Sequence, residues 1–366
     1  MKKYFFAVFL SYSVYFANAQ KTILTHSFLL PGHNDDVTIA TFSPKNNFLV
    51  SASIDKKICV YNSESPFELI KTISVHQSPI NVLKFNRSGN MMASGSNDFS
   101  VLVFDSVFNI HRKLIDANGG HTGSVSAITF DPTSNYLFSG GKDGKICMWE
   151  INSSKRFKTI NLGTPVNSIA MSSDPRILFV AGASTQIKAI SLPNGQVKKE
   201  FSGHTDVVNS IQISSDNKYL LSGSNDKSAR LWDLKTGKAI RKFPVDCWKV
   251  TAVSFSRDNK YCITACNDGS VKVWELASGN LLSKVDAQFY NIGDVSISKN
   301  LEHIAIAPML RNTNDFGVRI FESGLEKANP INGDVNTKSE AENTIKTSDS
   351  SATKLNSIPI KKVKNK

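Results

Sequence analysis

Apolar and polar residues alternate in short runs along this chain, and turn residues separate the runs. Residues 207–243 show the pattern best. VVNSIQIS (207–214) alternates with period two, and KYLLSGS (218–224) is a second run ending at the Asn225-Asp226 turn. SARLWDL (228–234) is a third run, and KAIRKF (238–243) follows the Thr236-Gly237 turn. Period-two runs rich in β-branched and aromatic residues, bounded by Asn, Asp and Gly, predict four short strands.

The same layout returns along the chain. Tyr61, Phe104, Trp149, Ile190, Trp232, Trp274 and Phe321 recur at intervals of 43, 45, 41, 42, 42 and 47. Six residues before each lies Asp55, Asp98, Asp143, Ser184, Asp226, Asp268 or Asp315. Thirteen residues earlier, in the first six units, lies Phe42, Phe85, Phe130, Met171, Ile213 or Phe255; in the seventh, Ile297 is displaced by a five-residue insertion. A fourth register holds His33, His76, His121, Leu162, His204, Asp246 and Gln288. Seven units of four strands therefore run from His33 to Phe321. One such unit cannot bury both faces of its sheet, but repetition about an axis can. The seventh unit lacks a fourth strand, and KTILTHSFLL (21–30) reads as a strand leading into the first. The N-terminal strand is thus expected to complete unit seven and close the ring, leaving no open edge. The insertion, around Ile304–Leu310, is expected to lengthen a loop of that unit.

These residues resemble the WD-repeat β-propeller family. Gly203-His204, Ser222, Asp226 and Trp232-Asp233 match its repeat fully, and Gly120-His121, Ser139, Asp143 and Trp149-Glu150 match with Glu as the last residue. The resemblance covers about residues 21–322 and implies an all-β, seven-bladed propeller. It also implies that His, Ser or Thr, Asp and Trp form a hydrogen-bond network across each blade. Such sets are His204, Ser222, Asp226 and Trp232, and His121, Ser139, Asp143 and Trp149. Partial sets are His33, Ser51 and Asp55; His76, Ser94 and Asp98; and Thr264, Asp268 and Trp274. Blade four has lost the pattern (Leu162, Val180, Ser184, Ile190), and blades six and seven depart from it at Asp246 and Gln288.

A His/Asp/Ser set invites a hydrolase reading. A catalytic triad needs one exposed Ser beside an oxyanion hole, whereas here the set repeats with an indole in register, as a scaffold requires. His26, His111 and His303 show no ligand spacing. We therefore expect no catalytic residues, no metal site and no cofactor. The competing reading is a propeller enzyme, a hydrolase or lyase working at the central channel.

Composition refines the picture. Hydrophobic residues make up 40% and charged residues 20%, which excludes wholesale disorder. The first nineteen residues have the order of a secretory signal: Lys2-Lys3, an apolar stretch, then Ala17-Asn18-Ala19. The expected division is a signal at 1–19, the propeller at 20–322 and a disordered polar and basic tail at 323–366. It places the protein outside the cytoplasm, periplasmic or secreted, with cleavage after Ala19 and no transmembrane segment thereafter. A cytoplasmic scaffold with a spurious signal is the other reading. Of the net charge of +12, the signal and tail carry +5, leaving +7 spread over the propeller without clustering. That disfavours nucleic acid. Cys59, Cys147 and Cys262 are expected as free core thiols, and whether Cys247 pairs with Cys266 stays open. Partners are expected to be proteins or peptides on the loop face, where Trp248, Phe289 and Tyr290 put large aromatics side by side and Lys249 and Arg311 supply a basic rim.

Overall fold

The computed structural model describes residues 27–45, 47–115, 120–286, 291–309 and 316–325. They form seven four-stranded antiparallel sheets. Blade one uses Val37–Phe42, Phe48–Ser53, Lys57–Asn62 and Leu69–Ser74, and blades two to six repeat this order. Blade seven takes Asn291–Ile297, His303–Met309 and Val318–Glu322, and its fourth strand is Ser27–Leu30 from the other end of the chain. Ser27 lies opposite Phe321 and Leu30 opposite Val318. The chain is an all-β, seven-bladed propeller latched by its own N-terminal strand.

The core sits between blades. Seven apolar clusters each draw on two consecutive sheets; one combines Leu30, Val37 and Tyr61 with Ala305, Val318 and Ile320 across the closing joint. The second and third strands of the blades are therefore largely buried on both faces, as their near-continuous apolar runs require.

Two bulges recur. In blades one to six the innermost strand slips after its first residue, as between Val208 and Ser210, and in blade seven it slips between Ile292 and Asp294. In blades one to six the third and fourth strands slip beside the register aromatic or its Ile equivalent, as between Leu231 and Trp232. The extra residue on the outer strand is Ile70 in blade one, Phe157 in blade three and Ile240 in blade five, each about half exposed. The bulge turns these side chains outward, so they are products of register rather than a patch.

The expectation for Ile304–Leu310 is corrected. His303–Met309 is a strand, and Ile304, Ala305, Ile306 and Ala307 are completely buried. Alternating large and small apolar residues suit a strand packed on both faces. Residues 310–315, including Leu310, lie outside the described residues. The tail boundary also moves. Ser323 is buried, its N–H donates to Glu302 O at 2.7 Å and its hydroxyl to Leu301 O, and Leu325 packs on the apolar cluster between blades six and seven. Packed structure thus continues to residue 325. The expected signal at 1–19 and the rest of the tail, from 326, lie outside the described residues.

Candidate functional site

The repeated polar residues come together on one face, at the turn between second and third strands. In blade five Trp232 Nε1–H donates to Ser222 Oγ at 2.8 Å, Ser222 Oγ lies 2.7 Å from His204 Nε2, and His204 Nδ1 lies 2.7 Å from Asp226. Blade three repeats this with Trp149, Ser139, His121 and Asp143 at 2.8, 2.8 and 3.2 Å. The carboxylate of Asp226 can only accept, so the ring proton of the neutral imidazole sits on Nδ1, and Nε2 is left to accept from the Ser222 hydroxyl. Burial lowers the His204 and His121 pKa values and outweighs the neighbouring carboxylates. Asp226 in turn accepts the backbone N–H of Thr205 and of Ser228, pinning the loop that enters the blade.

The other sets are partial. His33 meets Ser51 at 2.8 Å and Asp55 at 3.0 Å, while Tyr61, in place of the indole, donates its hydroxyl to Pro31 O at 3.0 Å. His76 meets Ser94 and Asp98 beside Phe104, which has no donor. In blade six Thr264 accepts from Trp274 Nε1–H at 3.1 Å, but Asp268 is engaged separately by Ser270. There Asp246 stands at the histidine position and pairs with the buried Lys272 at 3.1 Å. Cys247 and Cys266 form a disulfide with Cα atoms 6.2 Å apart. A covalent link thus joins loop to strand in blade six, where the histidine bridge is missing. Cys247, Cys266 and Asp268 bring ligand atoms within 4.8 Å of one another. With the two sulfurs bonded together, neither is free as a thiolate for a metal. Cys59, Cys147 and Cys262 are free and buried.

Trp248 follows the disulfide and is 75% exposed, the most exposed large hydrophobic among the described residues. Lys227 Nζ lies 5.2 Å over its ring, a cation–π contact the sequence did not announce. Lys249 anchors the loop through its N–H to Asn267 Oδ1 at 3.0 Å. Phe289, Tyr290 and Arg311 lie outside the described residues.

A second set of polar residues lines the ring interior and escaped sequence reading. In blades one to five the bulged residue of the innermost strand reaches the next blade. Asn81 donates to Val125 O at 3.1 Å, Asn167 to Val208 O at 3.1 Å and Asn209 to Val250 O at 2.8 Å; Thr38 and Ser126 do the same to Ile80 O and Val166 O. The third residue can accept instead: Ser168 from Ile211 N–H and Ser210 from Val253 N–H. These side chains replace the backbone ladder that the inner strands do not form with one another. The stitching changes in the last two blades. Thr251 turns back to Ala265 O of its own blade. Gly293 has no side chain, and a Cβ there would lie 2.4 Å from Thr38 O. Asp294 takes over the joint, where the backbone N–H groups of Val295 and of Ala40 in blade one draw its carboxyl down. Burial pushes its carboxyl up to about 6, against the pull of Lys84 and these donors. The sequence signal was there, since Thr, Asn, Ser, Asn, Asn, Thr and Gly occupy the second position in turn. Only the bulge reveals that these side chains point at a neighbour.

Comparison with known proteins bears on three stretches of these repeats. The description "WD domain, G-beta repeat" matches residues 23–62, 195–233 and 237–275. These three stretches are WD repeats. A second description, "Vps8 beta-propeller", matches residues 84–201. Among curated proteins, the chain is similar to the pre-mRNA-splicing factor cwf17 of Schizosaccharomyces pombe, 26% identical over 178 residues, 48% of this chain and 52% of that protein. It is also similar to the poly(A)+ RNA export protein of the same yeast, 29% identical over 43% of this chain and 44% of that protein. A third relative is eukaryotic translation initiation factor 3 subunit I of Neurospora crassa, 32% identical over 28% of this chain and 29% of that protein. The chain spans about half or less of the length of these relatives. They overturn the extracytoplasmic location expected from residues 1–19, because splicing, RNA export and translation initiation take place inside the cell.

Proposed function

We propose that this WD-repeat propeller is a protein-binding scaffold without catalytic activity of its own, and that it holds a protein or peptide on the loop face around Trp248. The exposed indole carries the reading. A large aromatic held in water by a short loop, tethered by the Cys247–Cys266 disulfide and covered on one side by Lys227, has the make-up of a pre-organised hot spot. Phe289 and Tyr290, which lie outside the described residues, hold the matching positions of the blade-seven repeat in the sequence and are included in the proposal on that ground.

The scaffold reading also explains the His/Ser/Asp sets. Ser51, Ser94, Ser139 and Ser222 are completely buried, so no substrate reaches their hydroxyls. Each is consumed by its own blade. Relatives named for splicing, RNA export and translation initiation agree with a role inside assemblies.

The test replaces Trp248, Phe289 and Tyr290 together with Ala and compares cross-linked partners with wild type by mass spectrometry. Trp248 is exposed, so the melting temperature should stay within about 2 °C of wild type while the partner is lost. Retention of the same partner would eliminate this face as the site.

A further inference from the structure

The opposite face, where the turns between first and second strands lie, has an opening that the loop-face reading does not use. A cavity of about 230 Å³ enters the channel mouth across blades two to five. Phe85, Phe130, Met171 and Ile213, the last residues of four consecutive innermost strands, form the apolar part of its floor, and polar groups make up the larger share of its exposed lining. Its rim carries Arg87, Ser172 and Ser173.

The charge in this mouth is unbalanced. Asp131 is the only carboxylate lining it, and that group is already occupied by the N–H groups of Thr133 and Tyr136 and by the Thr133 hydroxyl. Arg87 has no ion-pair or hydrogen-bond partner among the described residues. Arg257 holds the same turn position in blade six, and its guanidinium donates to Pro44 O in blade one at 3.0 Å. One arginine therefore braces the mouth, and its counterpart lines the cavity without a partner among the described residues. Two donors accompany it. Ser172 Oγ accepts from Asp174 N–H at 3.2 Å, and its own proton finds no protein acceptor among the described residues. Ser173 spends its N–H on Asn217 Oδ1 at 2.8 Å and leaves its hydroxyl unused.

We propose that this cavity binds the C-terminal carboxylate of a polypeptide whose last residue is apolar. The free guanidinium asks for a planar anion, and the floor asks for an aliphatic or aromatic group beside it. A chain terminus carries both on one carbon, whereas an aspartate or glutamate side chain offers no separate apolar group and inorganic phosphate offers none. The volume lies below the range of about 300–1,000 Å³ typical of drug-sized sites, which suits one or two residues. The site lies on the face away from Trp248 and does not depend on the reading given to that face.

The test is calorimetric titration of the full chain with acetyl-Ala-Ala-Ala-Leu as the free acid and as its C-terminal amide. The acid should bind with a Kd between roughly 0.1 and 1 mM and the amide at least about tenfold more weakly. Arg87→Gln, at an exposed position, should weaken the acid by about tenfold or more and leave the melting temperature unchanged. Ser173→Trp, filling the rim, should abolish binding of both peptides. Equal affinity for acid and amide, wild-type affinity in Arg87→Gln, or no binding of the acid at about 5 mM would each overturn the assignment.

Discussion

Asp294 lets the closing joint be tested through proton linkage. The ordinary value for the carboxyl is 3.8, and burial in the ring raises it to about 6. The gap is about two units, and each unit corresponds to about 1.4 kcal/mol. Ionised Asp294 therefore costs the folded state up to roughly 3 kcal/mol at neutral pH, reduced to about 2 because the residue stays partly exposed. The folded protein holds this proton more tightly than the unfolded chain does. The contribution is fully present below about pH 4 and is lost as pH rises through about 6. Asn at 294 keeps an acceptor for Ala40 N–H and Val295 N–H and removes the charge. Urea denaturation of wild type and Asp294→Asn from about pH 4 to 8 reads the difference directly. The variant should be more stable by about 2 kcal/mol near pH 7.5, and the gap should close near pH 4. A variant that is less stable at pH 7.5, or a difference that does not change with pH, would refute the account. The carboxylate would then act through the strength of its hydrogen bonds or its attraction to Lys84.

The blade networks and the disulfide give further expectations. Ser222→Ala strands both the Trp232 indole and the His204 ring, whereas Ser94→Ala strands only His76. The first should cost about 1–3 kcal/mol more than the second in urea denaturation, and equal costs would remove the indole from the network. Reduction of the purified protein should open a loop of 19 residues between Cys247 and Cys266, lowering stability by about 3 kcal/mol. An unchanged denaturation midpoint on adding reductant, with the thiols shown to be free, would mean that the packing of blade six suffices alone.

Much of the fold was legible because a repeat writes its constraints many times. The strands of blade five, the turn at Asn225-Asp226 and the His204–Ser222–Asp226–Trp232 spacing are local or within one unit. Period-two alternation and turn chemistry carry such features. The closing strand was legible through a deficit, since blade seven ended one strand short. Ile304–Leu310 misled because an insertion counted in residues does not say which part becomes loop. Burial on both faces drew Ile304–Ala307 into the sheet. Trp248 was legible as an aromatic at a loop position, but the Lys227 contact was not, since the two come from different blades.

The sequence by itself determined seven units, their four-strand order and the polar network of each complete blade, because those depend on neighbours within about 42 residues of chain. Only the tertiary structure decided what passes between units. The inner bulges aim Asn81, Asn167 and Asn209 at the next blade, bring the backbone of blade one so close to Gly293 that no side chain fits, and leave the joint to a carboxylate. They also set four strand ends around one cavity with Arg87 unmatched at its rim. The reason is geometric. Side-chain alternation is fixed by the strand itself, but the approach of one sheet to the next depends on twist and on the closure of the whole ring.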